Sequence, residues 1–177
     1  MLDTRLRLQV NRAKSVVARP WNGTFLGDTM PHNLTPRLQP APTSVQRAKD
    51  RMRQRTHRGR GQNIGVGSAE INGFTRGGVG SFRLSRVQAQ GDTREQWRRR
   101  RVRQILWAQW RTPKTRSRKL MAWGLEVERA RKATAPGRGA WWNAGASHMH
   151  AAINHRVLAE WGLRSLLDQL RAMQRST

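Results

Sequence analysis

Residues 94–125, REQWRRRRVRQILWAQWRTPKTRSRKLMAWGL, are both the most basic and the most aromatic part of the chain. Between residues 94 and 119 there are eleven lysines and arginines and one acid, Glu95. Val102, Ile105, Leu106 and Trp110 are spaced as on one face of an α-helix. The stretch therefore predicts an amphipathic helix whose arginines lie mostly around the rest of its surface.

The flanking residues indicate where this helix starts and stops. Asp92 and Glu95, three residues apart, are typical of a capping pair that opens a helix. Pro113 predicts a break, because proline removes a backbone hydrogen bond and clashes with the preceding turn. A second basic segment, 114–119, follows at once. The sequence thus predicts two basic surfaces held on one small core.

The charge balance of the whole chain points to a polyanionic partner. Its 177 residues include 35 lysines and arginines but 10 acids, a net charge of +25. A charge run in an ordinary chain is usually a solvated helix face. Here so few acids offset the charge that nucleic acid is the better interpretation.

Several classes of function are excluded by what the sequence lacks. Without cysteine it can form neither disulfides nor cysteine–zinc sites, and it fits a cytoplasmic location. No apolar run approaches the roughly 18 residues of a membrane span, so no membrane partner is expected. His148 and His150 would lie about 200° apart on a helix and are interpreted as surface or groove histidines. We predict no cofactor and no metal.

Elements outside the basic stretch predict a mainly α fold with a small β unit at the front. Residues 6–10 alternate polar and apolar, as in a strand, and 15–18 could return beside them. Four prolines in 31–42 indicate an extended connector. A helix is predicted over 44–57, with Thr43 and Gln46 as a capping box.

The remaining elements are less regular. Residues 64–84 are rich in glycine, which weakens helices by about 0.5–1 kcal/mol per residue relative to alanine. A short polar helix is predicted at 126–134, a loop at 135–145, a helix at 148–160, and an amphipathic segment beginning at Ser165 with Asp168.

The order of these motifs resembles the C-terminal part of group II intron-encoded reverse transcriptases, which act as maturases. The basic helix, the Trp107-x-x-Trp110 pair and the run Trp110-Arg111-Thr112-Pro113-Lys114-Thr115-Arg116 resemble the maturase-specific domain. The Pro-x-Ser-Val-Gln-Arg run at 42–47 resembles the start of the thumb, and Phe25-Leu26-Gly27 the end of the palm.

This resemblance implies three parts: a palm remnant at 1–30, a thumb-like helical region at 31–90 and a maturase-specific domain at 91–177. It implies binding of group II intron RNA, or other structured RNA, to assist splicing. Polymerisation is not expected, because that chemistry needs clustered aspartates and the five here, at 3, 28, 50, 92 and 168, are isolated.

Two other interpretations stay open. The chain could be an inert remnant of a mobile element, which the glycines at 73, 78 and 80 favour. It could also be one half of a split RNA-directed DNA polymerase that assembles with a separate fingers–palm protein.

The candidate RNA contacts are the basic residues of the central stretch and two tryptophans in the glycine-rich loop. Unpaired bases stack on exposed aromatic rings, although core or edge packing is the usual role of tryptophan. The candidates are Arg98, Arg99, Arg100, Arg103, Arg111, Lys114, Arg116, Arg118, Lys119, Trp141 and Trp142.

Overall fold

The computed structural model describes residues 17–32, 38–56, 63–81, 88–135 and 137–175. Most of these residues are helical, which confirms the predicted mainly α fold with a small β unit before the helices. The elements, in chain order, are a 3-10 helix Pro20–Asn22, β1 Asp28–Thr29, β2 Gln39–Pro40, α1 Pro42–Arg55, α2 Ile64–Ser81, α3 Gln88–Gln109, α4 Pro113–Ala122, α5 Val127–Ala133, α6 Ala140–Ala144, α7 Ser147–Ala152, α8 His155–Glu160 and α9 Leu166–Arg175.

The β unit is built from other residues than the sequence predicted. β1 and β2 pair antiparallel, with Asp28 opposite Pro40. The predicted strand at 6–10 and the first half of its partner lie outside the described residues. Val17 and Ala18 are exposed and lie in no strand. The turn before β1 requires Gly27, whose φ of 90° is readily adopted by glycine.

Helix α1 starts two residues earlier than predicted, and the capping box at Thr43 and Gln46 is wrong. Ala41 is the N-cap and makes no side-chain capping bond. Pro42 occupies the first helical position, where its fixed φ suits a helix and its missing N–H costs nothing. The helix thus starts at a proline in its first position and not at a threonine cap.

Helix α2 is continuous in spite of its glycines. Ser68, Ile71 and Thr75 are buried along one face. Asn72 joins this helix to a distant part of the chain: its amide donates to the carbonyl of Gly162 at 2.6 Å and accepts from the backbone N–H of Arg164 at 3.1 Å. This contact fixes α2 against the segment that leads into α9.

Helix α3 is the centre of the fold. It begins at Gln88, four residues before Asp92, so the predicted capping pair is wrong. Val102, Leu106 and Trp110 are buried, as their spacing predicted. The predicted break is confirmed, since α3 ends at Gln109 and α4 starts at Pro113.

The C-terminal helices are shorter and more numerous than predicted. The polar helix at 126–134 is confirmed as α5. The predicted loop at 135–145 contains α6, and the predicted helix at 148–160 is two helices. The break falls at Asn154, whose side-chain oxygen accepts the N–H groups of Arg156 and Val157 and caps α8. These two capping bonds satisfy N–H groups of the first turn and so start a separate helix.

The hydrophobic core lies between α3 and the helices around it. Helix α3 packs against α2, α6 and α9, and α4 packs against α5 and α7. None of the described helices is long and apolar enough to cross a bilayer. The buried apolar side chains of the core are Met52, Ile71, Val102, Leu106, Trp107, Trp110, Leu120, Leu125, Ala130, Met149, Ala152, Ile153, Leu158 and Leu163.

Candidate nucleic-acid interface

Two of the candidate arginines of α3 are buried. Arg98 is 3% exposed, and its Nη1 donates to Oε2 of Glu95 at 2.8 Å. Burial lowers the pKa of Arg98, and the adjacent Glu95 acts against this. Arg103 is 4% exposed and donates from Nε to the carbonyl of Ile153 at 2.7 Å.

This burial corrects the prediction that the arginines lie around the outside of the helix. A third arginine, Arg101, was not a candidate and is buried as well. It donates to Oγ1 of Thr56 at 2.9 Å. Because neighbours surround α3 on several sides, long side chains at these positions reach carbonyls and hydroxyls of other elements. Arg98 and Arg103 therefore stabilise the fold through internal hydrogen bonds. The exposed basic surface of the protein is formed by other residues.

A basic groove of about 700 Å³ runs between α3 and the segment from α6 to α8. Residues at intervals of three and four along α3 form one wall, which is one face of the helix. Trp97 contributes a ring from α3, and Trp141, His150 and His155 contribute rings from the other side. The lining residues are Gln96, Trp97, Arg99, Arg100, Arg103, Trp141, Gly145, His150, Asn154 and His155.

Arg100 is held in a fixed position at this groove. Its Nε and Nη2 donate to the carbonyl of Trp141 at 3.1 and 2.9 Å, and its Cζ lies 4.3 Å from the centre of the Trp141 ring. A Cβ on Gly145 would lie 2.6 Å from that Cζ. Glycine at 145 therefore leaves the room that the guanidinium occupies.

The arginines that line the groove are only partly neutralised by the nearby carboxylate of Glu95. Glu95 accepts from Nε of Arg99 at 2.9 Å. Burial, and next the charge of Arg99, lower the pKa of Arg103 to about 10. The pKa of His150 is also lowered, first by burial and then by Arg103 and Arg100. Burial is the larger cause of both shifts, and the neighbouring like charges add to it. An anion in the groove would offset the contribution of the like charges.

A second basic surface lies on and before α4. Arg111, Lys114, Arg118 and Lys119 are exposed, and in the described part of the chain no carboxylate forms a salt bridge with them. Arg116 differs: its Nε donates to the carbonyl of Trp110 at 2.7 Å, and its guanidinium lies 4.8 Å from the centre of the Trp107 ring. Four of the five basic candidates in this segment are thus free to meet solvent or a ligand.

The two candidate tryptophans of α6 have different surroundings. Trp141 is 36% exposed and lines the groove, 6.3 Å from the ring of Trp97. Trp142 is 46% exposed, lies outside the groove, and carries the guanidinium of Arg138 at 4.0 Å from its ring centre. Sequence reasoning missed Arg138, Trp97 and Gly145; their roles depend on contacts that no local pattern encodes.

The histidines at 148 and 150 do not face a common site. His148 is buried against Trp107, with ring centres 5.4 Å apart, whereas His150 lies at the groove. Among the described residues, no three or more histidines and acids come close enough to hold a metal ion. His148 is thus a packing residue of the core.

We expect the protein to lose stability as the pH falls below about 6.5. Burial, and then the charge of Arg129, lower the pKa of His148 in the folded state. The unfolded chain therefore binds more protons over this range, so the free energy of unfolding decreases with acid. Thermal melts at pH 7.5 and 5.5 measure this difference.

His148→Gln should reduce the pH dependence, although His150 will retain part of it. His155→Gln, at an exposed position of the groove, is the matched control and should melt like the parent at both values. Identical melting of the parent at both pH values would contradict the interpretation.

A mainly helical core that displays unneutralised arginines and lysines beside exposed aromatic rings is typical of proteins that bind nucleic acid. Residues 45–123 match the family model of the group II intron, maturase-specific domain. The match covers a little under half of the chain, and it confirms the resemblance to the C-terminal region of group II intron maturases. No curated protein matches the chain.

The match runs from within α1 to the end of α4, across the predicted boundary at 90/91. The predicted division into three parts is not tested by it and stays a prediction. The second wall of the groove, from α6 to α8, lies C-terminal to the matched residues. The groove thus combines the family segment with the part of the chain that follows it.

Proposed function

We propose that the chain binds structured RNA, with group II intron RNA as its partner, and assists the folding that precedes splicing. The observation that carries this proposal is the exposed basic surface formed by Arg111, Lys114, Arg118 and Lys119. Two of these, Lys114 and Arg118, are four residues apart and share one face of α4. Such a face can contact successive phosphates of one strand.

We further propose that the chain acts by binding and positioning RNA and not by polymerisation. Two of the described aspartates support this: Asp50 forms a salt bridge with Arg53, and Asp168 with Arg171. These carboxylates are engaged locally on their own helices. Incorporation of nucleotides on a primed RNA template, above a blank without protein, would contradict this part of the proposal.

The test of RNA recognition is a competition between a group II intron fragment and bulk tRNA at several salt concentrations. Any chain of this charge binds nucleic acid at low salt, so low-salt affinity decides nothing. We expect the intron fragment to retain its advantage at moderate salt, because the basic residues are held in a fixed geometry. If the intron fragment and tRNA compete equally at every salt concentration, the protein binds RNA only through its net charge and this proposal is wrong.

A charge-matched pair of variants locates the surface. Lys114→Gln with Arg118→Gln removes two exposed charges and should flatten the slope of log affinity against log salt by about 0.7–0.9 per lost phosphate contact. Lys132→Gln with Arg156→Gln removes two charges that already pair with Glu128 and Glu160 at 3.5 Å. The control pair should leave the slope nearly unchanged.

A further inference from the structure

The groove between α3 and α6 to α8 has the size of a site for a single nucleotide. Its volume of about 700 Å³ falls in the range of roughly 300–1,000 Å³ that is usual for small-ligand sites. A base-paired duplex could touch its rim but could not enter. A nucleotide that leaves the stack could place both its base and its phosphate inside.

The groove also offers both kinds of contact that such a nucleotide needs. The Nε of Arg99 donates to Glu95, but the two terminal nitrogens of Arg99 make no hydrogen bond with any described residue. They can donate to a phosphate, as arginine does with high geometric specificity. Beside them, the guanidinium of Arg100 lies over the ring of Trp141, and unpaired bases stack on both arginine and aromatic planes.

We propose that this groove binds one unpaired nucleotide of the RNA, with its phosphate at Arg99 and its base against the Arg100–Trp141 pair. This inference rests on the proposed function and adds to it the structural class of RNA that is recognised: a bulge or loop, not a continuous duplex. The surface on α4 would contact the neighbouring backbone.

The charge state of the groove supports an anionic occupant. Arg99, Arg100 and Arg103 of α3 line it. Among the side chains that the structure describes, the nearby acid of α3 is Glu95, which is already shared between Arg98 and Arg99. The pKa of His150 is lowered first by burial and next by the charges of Arg103 and Arg100, and a phosphate would offset the repulsion among these charges. Duplex binding on the outer surface would leave this repulsion in place.

The experiment compares two RNA hairpins of equal length, one fully paired and one with a single-nucleotide bulge, at a salt concentration where tRNA no longer competes. Stacking of one base predicts a preference for the bulged hairpin of about fivefold to a hundredfold. Equal binding of both hairpins, with the intron fragment still preferred over tRNA, would overturn this inference and leave the proposed function standing. If the protein does not prefer the intron fragment over tRNA, the proposed function itself is contradicted.

Gly145→Ala is the decisive variant because it changes geometry without changing charge. The backbone at Gly145, with φ −98° and ψ −2°, accommodates alanine, and the atoms that must move belong to the end of the Arg100 side chain. We expect the variant to melt like the parent and to lose the preference for the bulged hairpin. The matched control is Gly139→Ala, where a Cβ would meet nothing within 4 Å, and the preference should persist.

Two ring deletions give an independent readout. Trp141→Leu should abolish the preference for the bulged hairpin, whereas Trp142→Leu, outside the groove, should retain it. If Gly145→Ala is folded and still prefers the bulge, or if Trp142 and not Trp141 carries the preference, the base does not bind in the groove and the inference is wrong.

Discussion

Glu95→Gln should lower the free energy of unfolding by about 3–5 kcal/mol, the usual result of leaving one partner of a buried ion pair uncompensated. The carboxylate accepts from Arg98 at 2.8 Å, from Arg99 at 2.9 Å and from the backbone N–H of Leu166 at 3.1 Å. It therefore neutralises a buried guanidinium and holds the start of α9 at the same time. Against a total domain stability of roughly 5–15 kcal/mol, the loss is large.

Urea unfolding followed by circular dichroism measures this loss, and Glu128→Gln is the matched control. Glu128 pairs with Lys132 at 3.5 Å on the exposed surface of α5, where such pairs contribute about 0–1 kcal/mol. The double variant Glu95→Gln with Arg98→Met should recover part of the stability, because the uncompensated charge is gone. A double variant less stable than Glu95→Gln would show that the charge is not the cause.

The second large effect is expected for Trp107→Ala, which should lower the free energy of unfolding by about 3–5 kcal/mol. Trp107 is 2% exposed and contacts His148 on one side and the guanidinium of Arg116 on another. Removing the ring leaves a cavity where α3, α4 and α7 meet. Binding of RNA at low salt should survive, because no charge is lost, but the preference for the intron fragment should not.

The same urea measurement on Trp142→Ala provides the comparison. That ring is half-exposed, and its contact with Arg138 has the geometry of a cation–π pair, worth about 0.5–1 kcal/mol at exposed sites. If the two alanine variants are equally stable, the assignment of Trp107 to the core is wrong.

The helical class and the central helix followed from local patterns, because apolar spacing along α3 reports directly which face is buried. The buried arginines did not follow. Arg98 and Arg103 depend on Glu95 and on a carbonyl 50 residues away, at Ile153, and charge in a sequence window normally predicts exposure. Whether these side chains are buried depends on residues that are distant in sequence and close in the folded structure.

The start of a helix can be predicted from sequence where a capping residue or a proline marks its first turn. Asn154 and the pair Thr112–Pro113 are common starting signals for helices, yet the first was passed over because the apolar spacing of 149, 153 and 157 continued across it. The groove itself could not be predicted. It requires α6 to lie against α3, a packing between residues about 40 positions apart.

The contacts of Asn72 and Glu95 have a consequence for synthesis on the ribosome. Their partners lie far along the chain: Gly162 and Arg164 follow Asn72 by 90 and 92 residues, and Leu166 follows Glu95 by 71. A nascent chain that has reached residue 125 already carries the whole basic stretch, while α2 and α3 still lack the contacts that fix them. Translation must therefore pass residue 166 before the contacts of Glu95 with Arg98, Arg99 and Leu166 are all in place. A ribosome that stops at residue 125 releases a chain that carries the basic stretch without the contacts that order it.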